Sequence, residues 1–520
     1  MKRTAIGIAL LVILALTAYG PALRGDFIWD DDQYVKENPL LKDADGLRRI
    51  WTEPRASLQY YPLVFTSFWV ERHLWGLDPL GYHLVNVLLH TLGAGLLWFV
   101  LVQLGVPGAW LAAALFALHP VHVESVAWIT ERKNTLSLPF FLASIAAYVR
   151  FSLGDGFSSR GQPALPGARA AGGWYLLSLA LFALALLSRT TTAVLPAVVL
   201  ILLWWRNGRL GWRDLAPLLP FLALGAAFGL FTARLETEHV GALGADWEAS
   251  PVERVLVAGR IVFFYLTKLL WPADLSFVYS RWQVDARAWW QYLFPAAAAA
   301  GVAALWGARG RIGRGHLAAA LYFLVCLAPV LGFLKVYPMR FSYVADHFQY
   351  FASIGPIVWA AALLDRFSSG ALGGESLGRL ARGPGGALAR RAGTAALLAL
   401  LWALTWQQSG MYRDPETLWR ATIRRNPSAW LAHANLAEIL LGRGQAREAL
   451  EFTTRAVSLK PDDAGVQVMQ GKALLLGGHP AEAIGPLQEA LRLQPLHGRA
   501  RYWLALATRA QGGAGQTPGR

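Results

Sequence analysis

Three aspartates stand side by side at Asp30, Asp31 and Asp32 in the stretch "GDFIWDDDQYVKEN", just after an apolar run. Adjacent like charges raise one another's proton affinity, which suits a carboxylate to take a proton near neutral pH. A second acidic feature is "HPVHVESVAWITERKN" (119–134), where Glu124 follows His119 and His122 at the end of another apolar run. Ionisable groups at the edge of a bilayer are costly and usually functional. The structural alternative is that Glu124 is neutralised by a neighbouring arginine such as Arg132. Two histidines and a carboxylate also invite a zinc reading. "HPVHVE" lacks the HExxH spacing, however, and Pro120 disturbs the helical face such a site needs. Hard oxygen ligands make a divalent cation at Asp30 and Asp31 the better metal expectation.

Cations come from other loops. Arg189 lies in "LSRTTTAVLP", Arg281 in "LSFVYSRW", and Arg340 and His347 in the aromatic-rich "KVYPMRFSYVADHFQYFASIG". Arginine holds phosphate through a two-pronged fork, and aromatic rings tolerate the headgroup zone, so these segments suit a ligand with a phosphate and an apolar tail. Carboxylates facing cations on one side of a membrane meet the needs of sugar transfer from a lipid phosphate. The acceptor hydroxyl requires a base, and the departing phosphate requires positive charge.

These residues must be positioned by membrane helices. The chain has 520 residues, 55% hydrophobic and 16% charged, which is too apolar for an ordinary soluble protein. Its net charge of +15 sits in short arginine-rich loops between apolar runs, the positive-inside pattern, so a nucleic-acid partner is not expected. Runs at 4–20, 84–105, 108–119, 135–150, 173–188, 190–205, 214–232, 292–308, 316–334, 350–365 and 392–406 predict eleven crossings. The run 254–271 is expected to be re-entrant or paired with another buried segment, because a single crossing there would place basic loops outside. Lys2 and Arg3 put the N-terminus in the cytoplasm and residues 21–83 outside, with the first helix retained rather than cleaved as a signal peptide. The segments 151–172 and 366–391 read as flexible cytoplasmic loops without a phosphate-binding pattern. The single cysteine, Cys326, excludes an intramolecular disulfide.

Beyond Trp406 the pattern changes. Pro427, Pro461 and Pro495 recur every 34 residues, in register with Ala449 and Ala483, Ala456 and Ala490, and Leu459 and Leu493. That period and its small residues predict tetratricopeptide repeats at about 430–463 and 464–497, with a partial one at 498–511. The expected organisation is all-α: a polytopic membrane domain over 1–406 and a short repeat solenoid over 407–520 that binds protein.

The acidic and His-Pro motifs, with "YYPL" (60–63), "GYHLVNVLLH" (81–90) and the repeat tail, resemble the transmembrane and tetratricopeptide repeat-containing O-mannosyltransferases and their bacterial relatives. The family's Phe-x-x-Asp-Asp, with Asn seven residues on, is matched by Phe27, Asp30, Asp31 and Asn38. Its His-Pro-x-His-x-Glu is matched from His119 to Glu124. The resemblance implies a GT-C glycosyltransferase that uses a dolichyl- or polyprenyl-phosphate sugar. Asp30 or Asp31 is then the base, Glu124 a supporting carboxylate, and Asp32 lies outside the matched pair. Arg189, Arg281, Arg340, His347, Tyr61, His119 and His122 are the expected donor and substrate contacts. Three positions depart from the family: Tyr61 where eukaryotic members carry arginine, His347 where they carry arginine, and Arg189 where bacterial relatives carry lysine.

Richness in Ala, Leu, Gly and Arg fits a bacterium, hence undecaprenyl phosphate, the inner membrane and a periplasmic repeat domain. The expectation is transfer of a mannose-like sugar to a periplasmic acceptor, a protein hydroxyl chosen by the repeats. The rival is a non-catalytic membrane-anchored scaffold whose repeats recruit envelope proteins. A transporter is disfavoured because the apolar runs hold almost no carboxylates.

Overall fold

The computed structural model describes residues 2–153, 168–235, 248–334, 336–368 and 384–514, and among them every regular element is helical. The expected all-α class is borne out. The chain divides into two compact units: Met1–Leu275 with Gln283–Arg413, and Ser276–Trp282 with Asp414–Arg520.

Among the described residues, the helices of eight or more residues in the first unit are α1 (Lys2–Ala18), α2 (Ala44–Thr52), α3 (Pro62–Trp75), α4 (Pro79–Gln103) and α5 (Ala109–Leu118). They continue as α6 (Arg132–Leu153), α7 (Ala168–Ser188), α8 (Leu195–Asn207), α9 (Leu219–Leu235) and α10 (Pro251–Leu270). The last four are α11 (Leu293–Ile312), α12 (Gly315–Leu327), α13 (Ile354–Ser368) and α14 (Pro384–Ser409). Among the described residues, five helical stretches are long and apolar enough to cross a membrane: Pro79–Gln103, Ile129–Ser152, Thr190–Asn207, Trp212–Leu235 and Leu388–Tyr412. Three shorter apolar helices accompany them: Thr4–Ala18, Gly172–Ser188 and Gly315–Val330. The run 254–271, expected to be re-entrant or paired with another buried segment, lies in one unbroken helix, α10, capped reciprocally by Ser250 and Glu253. It packs closely on α11, where a Cβ on Gly259 would fall 2.4 Å from the Pro295 nitrogen. The loops expected at 151–172 and 366–391 fall largely outside the described residues.

The chain breaks sharply after α5. Proline disfavours helix at the residue before it, and His119 is extended (ψ 126°), so Pro120–Ala127 leaves α5 at 55°. Such a break orphans the last helical carbonyls, which a buried site must satisfy. Three of them have side-chain donors. His122 Nδ1 lies 2.8 Å from the Phe116 carbonyl oxygen, His90 Nε2 3.2 Å from that of Ala117, and Thr405 Oγ1 2.6 Å from that of Leu118. Because carbonyls only accept, these contacts fix which nitrogen of each histidine carries its proton. Tyr350 then donates to His90 Nδ1 at 2.8 Å.

Residues 24–78 fold over the ends of α4 and α6 on their own apolar cluster, which includes Phe27, Tyr34, Leu41, Ile50, Phe65 and Phe68. One buried cation anchors this layer. The Arg132 guanidinium pairs with both oxygens of Glu71, and also donates to Ser67 Oγ (3.1 Å), Tyr82 O (2.9 Å) and the Asn86 side-chain oxygen. The Phe68 ring lies 5.1 Å below it.

The second unit begins with α15 (Pro415–Arg425) and continues as the pairs α16 (Trp430–Gly442) with α17 (Ala446–Leu459) and α18 (Ala464–Leu476) with α19 (Pro480–Leu493). It ends with α20 (Gly498–Ala514). Ala449, Ala456, Ala483 and Ala490 are fully buried, as their recurrence every 34 residues requires. Between α18 and α19 the helices touch closely at Gly471, where a Cβ would fall 2.4 Å from Leu487 Cγ and force that side chain to move. The segment Ser276–Trp282 joins this unit through Asn426, which donates to Val278 O (3.1 Å) and accepts from Ser280 Oγ (2.9 Å).

Candidate active site

The three aspartates occupy three different environments. Asp32 is on the surface, paired with Lys36 at 2.8 Å. Asp31 is fully buried. Its Oδ2 accepts from Ile28 N (2.9 Å), and its Oδ1 accepts from Thr130 N (2.8 Å) and Thr130 Oγ1 (2.6 Å). Asp31 therefore ties the acidic loop to the segment between α5 and α6. Asp30 is half-buried, and its carboxyl feels the charges of Lys133, Glu131 and His347. Burial pushes Asp31 up to about 7, against the opposing hydrogen bonds from Ile28 and Thr130. Asp30 is pushed up to about 6, again by burial first, with Lys133 lowering it, Glu131 raising it and His347 lowering it. The turn carrying the pair is strained, since Trp29 adopts φ +46°, a left-handed conformation that costs a bulky residue energy. Trp29 stacks on Trp128 with ring centres 5.4 Å apart, and Phe341 meets its edge.

The centre of the charge cluster is Glu131, a residue the sequence reading passed over. It is fully buried, with Lys133 Nζ at 2.9 Å, Arg189 Nη1 at 2.8 Å, Asn134 Nδ2 at 2.8 Å and His347 Nε2 at 3.8 Å. Lys133 also lies over the rings of Trp128 and Tyr34. Glu124 does not pair with Arg132. Its Oε2 accepts from His347 N at 2.9 Å, and its Oε1 lies 3.1 Å from His347 Nδ1. Arg132 is held by Glu71 instead, because the outer layer folds back over α6. His347 thus stands between two carboxylates, with its ring edge on Trp128. Its backbone carbonyl accepts from Asn134 Nδ2 at 3.1 Å.

Of the expected donor contacts, Arg189 and His347 join this cluster. Arg340 is half-buried on the short helix Tyr337–Arg340, next to Phe341. Arg281 lies on Ser276–Trp282, within the second unit. Tyr61 is part of the apolar cluster of the outer layer. His122 caps the broken helix and bonds Ser353 Oγ at 2.9 Å, and His119 Nε2 bonds Leu269 O at 3.0 Å. Both histidines hold backbone in place. Both Asp31 oxygens are engaged by protein hydrogen bonds, which take three of the four lone-pair sites that a cation bridging Asp30 and Asp31 could use on that carboxylate. Among the described residues no three His, Cys, Asp or Glu side chains converge as a metal site.

Fold and site together define a helical protein with apolar spans, a buried carboxylate–cation cluster beside a half-buried aspartate, and a repeat unit. The tetratricopeptide repeat family matches residues 400–464 and 468–513. The chain is similar to the Homo sapiens protein O-mannosyl-transferase TMTC2, 36% identical over 159 residues, which is 28% of this chain and 19% of that protein. It is also similar to Mus musculus protein O-mannosyl-transferase TMTC1, 33% identical over 208 residues, 37% of this chain and 21% of that protein. The matches thus span about a fifth of the length of these relatives. Among solved structures, ArnT from Cupriavidus metallidurans bound to undecaprenyl phosphate aligns over 97% of this chain and 88% of its own. The TM-score is 0.39 and the identity 14%. The oligosaccharyltransferase of Archaeoglobus fulgidus aligns over 82% and 57% respectively, with TM-score 0.43 and 13% identity.

Proposed function

We propose that this protein is a GT-C-type glycosyltransferase of the O-mannosyltransferase kind, which moves a mannose-like sugar from a polyprenyl phosphate to a hydroxyl of a periplasmic acceptor protein. The observation that carries this reading is the position of Asp30, a half-buried carboxyl held near 6, beside the Glu131–Lys133–Arg189–His347 cluster. In the proposed step Asp30 takes the acceptor hydroxyl proton as its oxygen attacks the anomeric carbon. The bond from that carbon to the phosphate oxygen breaks, and its electrons leave with the polyprenyl phosphate. Lys133 and Arg189 stabilise the added negative charge, and Glu131 holds both cations in place for it. Glu124 and Asn134 orient His347 at the edge of the same site. No step needs a metal ion.

Room for an apolar chain supports the reading. A cavity of about 720 Å³ lies among α5 and α10 to α14, with His119 at the broken end of α5 and Leu266, Leu269 and Leu401 on its walls. The relatives named as O-mannosyl-transferases support the reaction class, and the repeats suit presentation of an acceptor protein. By the positive-inside pattern, the acidic loop and the repeats face the periplasm of a bacterial inner membrane.

The test is reconstitution of the purified chain in vesicles with polyprenyl-phosphate mannose and a Ser/Thr-rich acceptor peptide, read by mass spectrometry for added hexose. Hexose on the peptide, lost with Glu131→Gln, supports the reading. A wild-type chain that is folded and transfers no sugar from any polyprenyl-phosphate donor leaves the scaffold reading in its place.

A further inference from the structure

At the helix ends remote from Glu131, α4, α6, α8, α12 and α13 enclose an apolar cavity of about 290 Å³. Its walls include Leu101, Leu142, Ile145, Leu202 and Val358. Leu142 and Ile145 lie ten and thirteen residues along α6 from Arg132, about 15–20 Å at 1.5 Å per residue, so this cavity is separate from the acidic site.

One end of the cavity is lined by Arg314, His316 and Arg366, with Trp205 and Trp359 beside them. Arg314 is specifically seated. Its Nη1 donates to Trp204 O at 3.1 Å, and its guanidinium lies over Gly208, where a Cβ would fall 2.1 Å from Nη1. Gly208 has φ +77° and no side chain, so it both ends α8 and makes room for the arginine. The Nε and Nη2 donors of this half-buried guanidinium have no hydrogen-bond partner among the described residues. His316 accepts from Trp359 Nε1 at 2.7 Å, which leaves its other nitrogen as a donor. The surrounding helix ends add Arg206, Arg209, Arg213, Arg309 and Arg311 against Asp214 and Asp365. Stacked Trp204 and Trp306 supply the amphipathic rings typical of a headgroup layer.

We propose that this cavity binds an anionic phospholipid, with the phosphodiester on Arg314 and Arg366 and an acyl chain in the apolar body. Positive charge complements an anionic headgroup, and basic pockets between spans on the arginine-rich face hold such lipids. A free phosphate would leave the apolar body unfilled. The proposal is independent of the transfer reaction.

Native mass spectrometry of the delipidated full-length chain tests it, with phosphatidylglycerol, phosphatidylcholine, undecaprenyl phosphate and inorganic phosphate as probes. The expected result is phosphatidylglycerol binding at least tenfold tighter than phosphatidylcholine, and weakened tenfold or more by Arg314→Gln with Arg366→Gln. Ala362→Trp, which fills the body, should weaken it similarly. Arg366→Gln alone alters an exposed side chain, and it should weaken binding about threefold even if the double variant does not fold. Equal affinity for both phospholipids, or affinity unchanged by Arg366→Gln, overturns the proposal. So does preferential capture of undecaprenyl phosphate or inorganic phosphate at this site.

Discussion

Thr130 donates twice to a single oxygen of Asp31, 2.8 Å from its backbone nitrogen and 2.6 Å from its hydroxyl, across 99 residues of sequence. This pair of hydrogen bonds to a fully buried carboxyl separates the roles of two adjacent aspartates. Asp31 fixes the acidic loop against the segment that carries Glu124 and Glu131, and Asp30 is left to face the cluster.

Removing the Thr130 hydroxyl should therefore loosen the loop. Thr130→Val deletes one bond to a buried carboxyl and should cost about 1–3 kcal/mol. Thermal unfolding of the purified protein should show a lower midpoint, and an unchanged midpoint would separate Asp31 from the stability of this layer.

Breaking the Arg132–Glu71 pair on one side should be worse than removing both partners. A buried charge left without its partner costs about 3–5 kcal/mol, whereas apolar replacement of a whole pair is often close to neutral. Glu71→Met should lower the unfolding midpoint steeply. Glu71→Met with Arg132→Met should recover part of the loss, although the Arg132 bonds to Ser67, Tyr82 and Asn86 remain lost. A double variant less stable than the single one contradicts this.

The pH dependence follows from the raised carboxyls. Asp30 at about 6 and Asp31 at about 7 hold protons in the folded chain where an unfolded aspartate, near 3.9, has lost them. The folded state binds more protons between about pH 4 and 7, so these two groups make stability fall as pH rises through that window. Activity should run the other way, because the base works ionised: kcat/KM should rise through about pH 6 and level off above it. A rate that falls across pH 5–7 would contradict a carboxylate base at Asp30.

Charge removal at the cluster should act on the transition state more than on donor binding. Lys133→Met should lower kcat by about 10²–10³, the usual consequence of losing one preorganised group at a developing charge. Arg189→Lys keeps the charge and should retain more activity than Arg189→Met. A change confined to KM would make these cations ground-state binders only.

Much of this organisation was legible in the sequence, and the reasons are particular. The 34-residue period marked the repeats because Ala449, Ala456, Ala483 and Ala490 sit where helices touch too closely for larger side chains. The acidic pair, Glu124, Arg189 and His347 were visible as charges at the ends of apolar runs. Glu131 carried the same signal in "ITERKN", a carboxylate and two cations in one turn at the start of a span. Local sequence could not reveal that Glu71, 61 residues away, claims Arg132. Nor could it reveal that His119 and His122 hold the backbone around a broken helix, because that depends on a 55° bend and on contacts with α10 and with Ser353. The departure of Tyr61 from the family pattern has a simpler physical account, since its ring is buried in the outer-layer core.

The most direct test of the central claim compares Asp30→Asn with Asp31→Asn in the reconstituted transfer assay, with the amount of folded protein matched by thermal unfolding. Asp30→Asn should keep the wild-type unfolding midpoint within a few degrees and lose transfer by about 10²–10⁴, the range for removing a general base. Asp31→Asn should lower the midpoint and lose activity largely in step with folded protein. Full transfer by folded Asp30→Asn, with loss confined to Asp31→Asn, would contradict the assignment of Asp30 as the base.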